Sequence, residues 1–92
     1  RQNLAWTIEY SPKVIKAFKK DVDRQIVRRI VAKLEEAAQL DDPTATAKPL
    51  TNNLKGLWSY RVAGGYRVIA DIQPGRLVIF AVDAGPRKNV YD

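Results

Sequence analysis

From Asp21 or Val22 to about Leu40 the apolar residues Ile26, Val27, Ile30, Val31, Leu34, Ala37 and Ala38 return at steps of three, four and seven. That spacing gathers side chains onto one side of an α-helix. Such a stripe is stable only when another layer covers it, so the rest of the chain has to supply a surface of matching size. The other side of the helix carries Arg24, Arg28, Arg29, Lys33 and Glu36. It reads either as a solvated face with some i, i+4 pairing or as a docking face for an acidic partner or a nucleic-acid backbone.

The covering layer is legible downstream. Residues 57–62, 66–72 and 76–84 are rich in β-branched and aromatic types and are separated by Ala63-Gly64-Gly65 and Gln73-Pro74-Gly75, which predicts a three-stranded antiparallel meander. Upstream, Leu4 to Tyr10 reads as a further strand. Ser11-Pro12 then pairs an N-cap serine with proline at the first helical position. A short helix follows, with Val14, Ile15 and Phe18 on one side and an end near Lys19 or Lys20. Asp41-Asp42-Pro43 stops the long helix, and a loop carrying Lys48 and Lys55 runs to Gly56; it is equally readable as linker or as a functional loop. The expected architecture is α+β in a single domain over residues 1–92: two N-terminal helices packed on one face of a small antiparallel sheet, in the order β-α-α-β-β-β.

Composition narrows the chemistry. The chain has neither cysteine nor histidine, so disulfides and the usual zinc, iron and copper ligand sets are excluded, and neither a metal nor a cofactor is expected. No apolar run approaches the ~20 residues of a membrane span, and no signal-peptide core is present, which gives a cytoplasmic expectation. Sixteen Lys and Arg against ten Asp and Glu leave a net charge of +6 without a long basic block. That excess favours polyanionic partners without proving one.

Period two sorts the strand residues into faces. Trp58, Tyr60 and Val62 point one way with Tyr66, Val68, Ala70 and Ile72, and read as core. Ser59 and Arg61 then share the opposite face with Arg67, where two arginines across a hairpin repel each other and nothing in the fold asks for it. The plainer alternative pairs Arg67 with Asp71 or Asp83 as an ordinary ion pair. After the last strand come Gly85-Pro86-Arg87-Lys88-Asn89-Val90-Tyr91-Asp92. Arginine offers a planar fork suited to phosphate oxygens, and tyrosine can donate, stack or, in a strongly positive field, lose its proton. Tyr91 is also readable as a plain packing residue.

Four stretches together resemble the RelE side of the RelE/ParE toxin superfamily: WTIEYSPKVIKAFKKD, the Lys48-Pro-Leu and Leu54-Lys-Gly-Leu-Trp segments, the Tyr60-Arg-Val…Gly-Tyr-Arg-Val hairpin, and the closing Val-Asp-Ala-Gly-Pro-Arg-Lys-Asn-Val-Tyr. The resemblance implies a type II toxin that cleaves messenger RNA in the ribosome without metal and is silenced by a tightly bound antitoxin protein in a heteromeric complex. It implies catalytic roles for Arg61, Arg67, Arg87 and Tyr91; the basic residues Lys48 and Lys55 of the loop and Lys88 after the last strand are the expected RNA contacts. The chemistry implied is attack of a 2′-hydroxyl on the adjacent phosphate, with arginines neutralising charge. Ser59 departs from the family pattern, which commonly has a basic residue there, and the Ala63-Gly64-Gly65 turn is one residue longer. The alternative is a ParE-like poison of DNA gyrase, acting by protein contact and needing no arginine and tyrosine set.

Overall fold

The computed structural model describes residues 6–87. Tyr91 and Lys88, like Leu4 and Ala5, lie outside the described residues. Strand β1 (Thr7–Tyr10) leads into helix α1 (Pro12–Lys20) and helix α2 (Arg24–Ala38). The Ser11 hydroxyl accepts from the Val14 amide at 3.2 Å and Pro12 opens α1, as the Ser-Pro signal predicts. Asp23 caps α2 by accepting from the Gln25 amide at 3.0 Å. Asp21 and Val22 therefore close the first helix turn rather than begin the second, their amides both bonding to the Ala17 carbonyl.

The presumed loop between α2 and the meander has structure of its own. A 3-10 turn at Pro43–Thr46 is followed by a two-residue strand β2 (Lys48–Pro49) and another 3-10 turn at Asn52–Leu54. Strands β3 (Trp58–Val62), β4 (Tyr66–Gln73) and β5 (Val78–Pro86) form the expected meander. The last strand starts and ends two residues later than the expected 76–84. Pro74 to Leu77 form the turn instead, with Leu77 at φ 54° and its amide bonded to the Pro74 carbonyl at 3.2 Å.

The sheet has five strands in the order β1-β5-β4-β3-β2 and is mixed rather than purely antiparallel. Strand β1 runs parallel to β5, from Thr7 beside Val78 to Tyr10 beside Ala81. A meander leaves its final strand with a free edge. The first strand fills that edge, and a parallel pair is permitted because both helices and the meander lie between the two strands in sequence.

Both helices lie on one face, as expected. Val14, Val22, Ile30, Leu34, Ala37 and Ala38 pack with Tyr60, Val62, Val68, Ala70, Ile79, Ala81 and Ala84. Each large side chain here contributes about 1.5–3 kcal/mol by leaving water. The opposite face is not bare. Leu50 and Ile69 are buried there with Leu54, Leu57 and Val82 against them, so the segment from β2 to β3 folds over part of the sheet. A slip in pairing helps: Ile69 faces Asp83 but Ala70 faces Ala81. The extra residue, Val82, makes a bulge that bends the strand locally. Val82 joins this second cluster, while Asp83 meets Lys13 of α1 at 3.2 Å.

Candidate functional site

The alternation of β3 and β4 is realised as the sequence predicts. Arg61 is directly paired with Arg67, and Arg67 in turn with Gly85 of β5. Directly paired residues of antiparallel strands point to the same side, roughly 5 Å apart at their roots. Tyr60 and Val62 are buried under the helices, so the two arginines occupy the other face. The adjoining row holds Lys48, Ser59 and Ile69, paired across β2, β3 and β4. That face therefore has an apolar half, built on Ile69 and Leu50, and a cationic half, built on Arg61 and Arg67.

The two arginines differ sharply in environment. Arg61 is exposed. Arg67 is 1% exposed, and its Nε and both Nη atoms are shielded from solvent. A guanidinium keeps its charge under any such burial, so Arg67 is a fixed positive centre inside the domain. It is held by at least one further interaction. The carboxylates offered as plain partners are occupied elsewhere: Asp83 engages Lys13 at 3.2 Å, and Asp71 accepts from Gln73 Nε2 at 3.0 Å.

Arg87 follows the end of β5 and is exposed, its amide donating to the Gly65 carbonyl at 2.8 Å. Since Gly85 stands opposite Arg67, that bond sets the Arg87 backbone beside the β3–β4 turn, at the same end of the sheet as Arg61 and Arg67. Gly64 and Gly65 make the turn possible, with φ at 89° and 81°. Lys48 is exposed and lies in the row next to Arg61. Lys55, also exposed, sits after the Asn52–Leu54 turn on the segment that covers Ile69. The structure thus brings together Arg61, Arg67, Arg87 and Lys48. No group of three or more acidic residues that could hold a metal ion occurs among the described residues.

Two features were not foreseen. The second apolar cluster was signalled by Leu50, Leu54 and Leu57, a recurrence too dense for an inert linker. The pairing of Lys48 with Ser59 had no comparable signal, because a two-residue strand containing proline falls below any periodicity test.

The family profile described as ParE toxin of type II toxin-antitoxin system, parDE, matches residues 8–91. The chain belongs to this family. It is a type II toxin–antitoxin toxin of the RelE/ParE superfamily. No curated protein matches the chain in sequence. Among solved structures, the RelBE2 toxin–antitoxin complex of Mycobacterium tuberculosis is similar at 22% identity and a TM-score of 0.72, covering 94% of this chain and 95% of that one. Escherichia coli RelE in complex with an antitoxin RelB peptide matches at 19% identity and a TM-score of 0.75, over 91% and 85% of the two chains. The archaeal RelE–RelB complex of Pyrococcus horikoshii matches at 20% and 0.69, over 95% and 100%. At these identities the likeness establishes the RelE-like fold.

Proposed function

We propose that this toxin is a ribosome-dependent endoribonuclease that cleaves messenger RNA without a metal, by attack of a 2′-hydroxyl on the neighbouring phosphodiester. The observation that carries this reading is the direct pairing of Arg61 with Arg67, with Arg87 anchored at the same end of the sheet. Two guanidinium groups rooted side by side on one face offer paired donor forks that match phosphate oxygens. Arginine stays charged and cannot serve as a base at neutral pH, so these residues bind and neutralise the reacting phosphate. The carry-over from the family gives Tyr91 the role of stacking on a base or activating the nucleophile, and the charge of Lys55 and Lys88 suits them to contacts with the RNA backbone. Moving a tyrosine from about pH 10 to near 7 takes about 4 kcal/mol of differential stabilisation. Contact with Arg67 also requires its cover to shift, and docking on the ribosome in the cytoplasm supplies both orientation and that displacement.

The reading includes a cognate antitoxin. Strand β1 ends the sheet order, Ile15 of α1 is 43% exposed, and the outer face of α2 is basic. An acidic segment that folds on binding suits those surfaces. No helix among the described residues is long and apolar enough to cross a membrane.

Primer extension on transcripts after induction tests the reading, with Arg67→Ala, Arg87→Ala and Tyr91→Phe compared in parallel. New transcript ends that depend on ongoing translation, and a loss of about 10²-fold or more in the arginine variants, are expected. The match to the ParE profile favours one second reading, a gyrase poison. Growth arrest undiminished in all three variants, with DNA-damage signalling and intact transcripts, would move the assignment there.

A further inference from the structure

The row of side chains beside the arginine pair contains a small buried polar residue and, paired with it, an exposed lysine. Ser59 is 2% exposed, and its Oγ has no hydrogen-bond partner among the described residues. It lies between Lys48 on β2 and Ile69 on β4. A buried, unpartnered hydroxyl costs about 1–3 kcal/mol, yet a slightly larger apolar residue at this place would extend the cluster around Leu50 and Ile69. Serine instead keeps the position small and polar, at the boundary between the apolar and cationic halves of the face.

Lys48 is held there more firmly than an exposed lysine on a connecting segment needs to be. Upstream, the Tyr60 hydroxyl, buried in the main core, donates to the Pro43 carbonyl at 2.6 Å and ties the Pro43–Thr46 turn to β3. Downstream, Leu50 is 5% exposed in the second cluster, and its amide bonds to the Leu57 carbonyl at 3.0 Å. Between these anchors the Lys48–Ser59 and Pro49–Trp58 pairing fixes the register. Lys48 therefore rises from the same face as Arg61 and Arg67, on the diagonal from Arg61, a separation of ~7–8 Å at the roots that two long flexible stems can close. Lys48 and Arg61 have no ion-pair partner among the described residues, in contrast with Lys13, Lys33 and Arg76, which pair with Asp83, Glu36 and Glu9. An ammonium on an anchored backbone, left uncompensated next to a second uncompensated cation, is preorganised for an anion.

We infer that Lys48 is a catalytic residue of the proposed cleavage: its ammonium reaches over Ser59 from the edge strand and completes the cationic grip on the scissile phosphate beside Arg61. The role is electrostatic, binding the charge that develops on the phosphate oxygens, so arginine can take it over and an uncharged residue cannot. The role belongs to a place on the sheet face rather than to one sequence position, since 48 and 59 are paired.

This inference rests on the endoribonuclease reading, and single-turnover cleavage of messenger RNA on programmed ribosomes separates the two. Full-length wild-type chain, Lys48→Ala, Lys48→Arg, Ser59→Lys and the double variant Lys48→Ala with Ser59→Lys are compared, with circular dichroism to verify folding. The expected pattern is cleavage by wild type and a fall of about 10²-fold for Lys48→Ala. Lys48→Arg should stay within about tenfold of wild type, and the double variant should recover at least about tenfold over Lys48→Ala. Should wild type leave the transcript intact, the nuclease reading falls and the inference with it. Cleavage by folded Lys48→Ala within about threefold of wild type would overturn the inference alone. So would a folded double variant no better than Lys48→Ala, because a cation restored at the paired position then does not replace the one removed.

Discussion

Tyr60 shows how one side chain serves both the core and the candidate site. Its ring is fully buried beneath the helices, while its hydroxyl bonds to the Pro43 carbonyl. Burial, with the nearby Asp42 carboxylate as a smaller cause, pushes its phenol up to about 12. In the unfolded chain the proton leaves near pH 10. Between those values the folded state holds a proton that the unfolded state has released, so the stability Tyr60 confers is complete below pH 10 and is lost as pH rises towards 12. Tyr10, also raised by burial with Glu35 adding to it, acts in the same direction. Urea unfolding of wild type should show a clear fall in midpoint between pH 9 and pH 11. Tyr60→Phe should start about 1 kcal/mol lower at neutral pH for the lost bond but fall less steeply over that interval. A parallel fall in both proteins would mean that other groups carry the alkaline loss.

Among the elements, α1 depends most on a single residue. The Ser11 hydroxyl accepts from the Val14 amide and donates to the Val82 carbonyl at 3.3 Å, so it caps the helix and ties it to the bulged stretch of β5. Ser11→Ala removes both bonds and should cost about 1–2 kcal/mol, read as a lower urea midpoint with an unchanged slope. The Ser-Pro signal, the α2 stripe and the β3–β4 hairpin were all readable in the sequence because each rests on local chemistry: a cap, a period, a pair of glycines at positive φ. The face assignment of Arg61 and Arg67 followed from period two and was realised. The parallel contact of β1 with β5 was not readable, since it depends on which sheet edge remains free once the meander is built. Nor was the burial of Arg67, because period two assigns a side chain to a face and says nothing of whether that face is covered. Ser59 appeared in the sequence only as a missing cation. In the fold it is the floor beneath Lys48.

Over the whole molecule the charge pattern bears on the proposed association with RNA. Within a net charge of +6, exposed cations gather on the outer face of α2, with Arg24, Arg28 and Arg29, and on the far face of the sheet, with Lys48, Arg61 and Arg87. These cations are exposed, so under the proposed reading association with RNA should be driven by displaced counterions and weaken linearly in log–log form as salt rises, by about 0.7–0.9 per phosphate contact. The two groups approach each other at the β3–β4 turn, where Arg29 of α2 lies near Gly64 and shares a cleft with Arg61, but they belong to different elements and need not serve the same ligand. If the sheet face holds the substrate strand, Arg61→Ala should lower the salt slope for binding a short single-stranded RNA by close to one contact, whereas Arg24→Ala should leave it unchanged. Fluorescence anisotropy with a labelled RNA between 50 and 200 mM salt measures both. An equal loss of slope in both variants would make the α2 surface part of the RNA path. It would also remove that surface from those left free for an acidic antitoxin segment, so the same titration apportions the basic faces between the two partners.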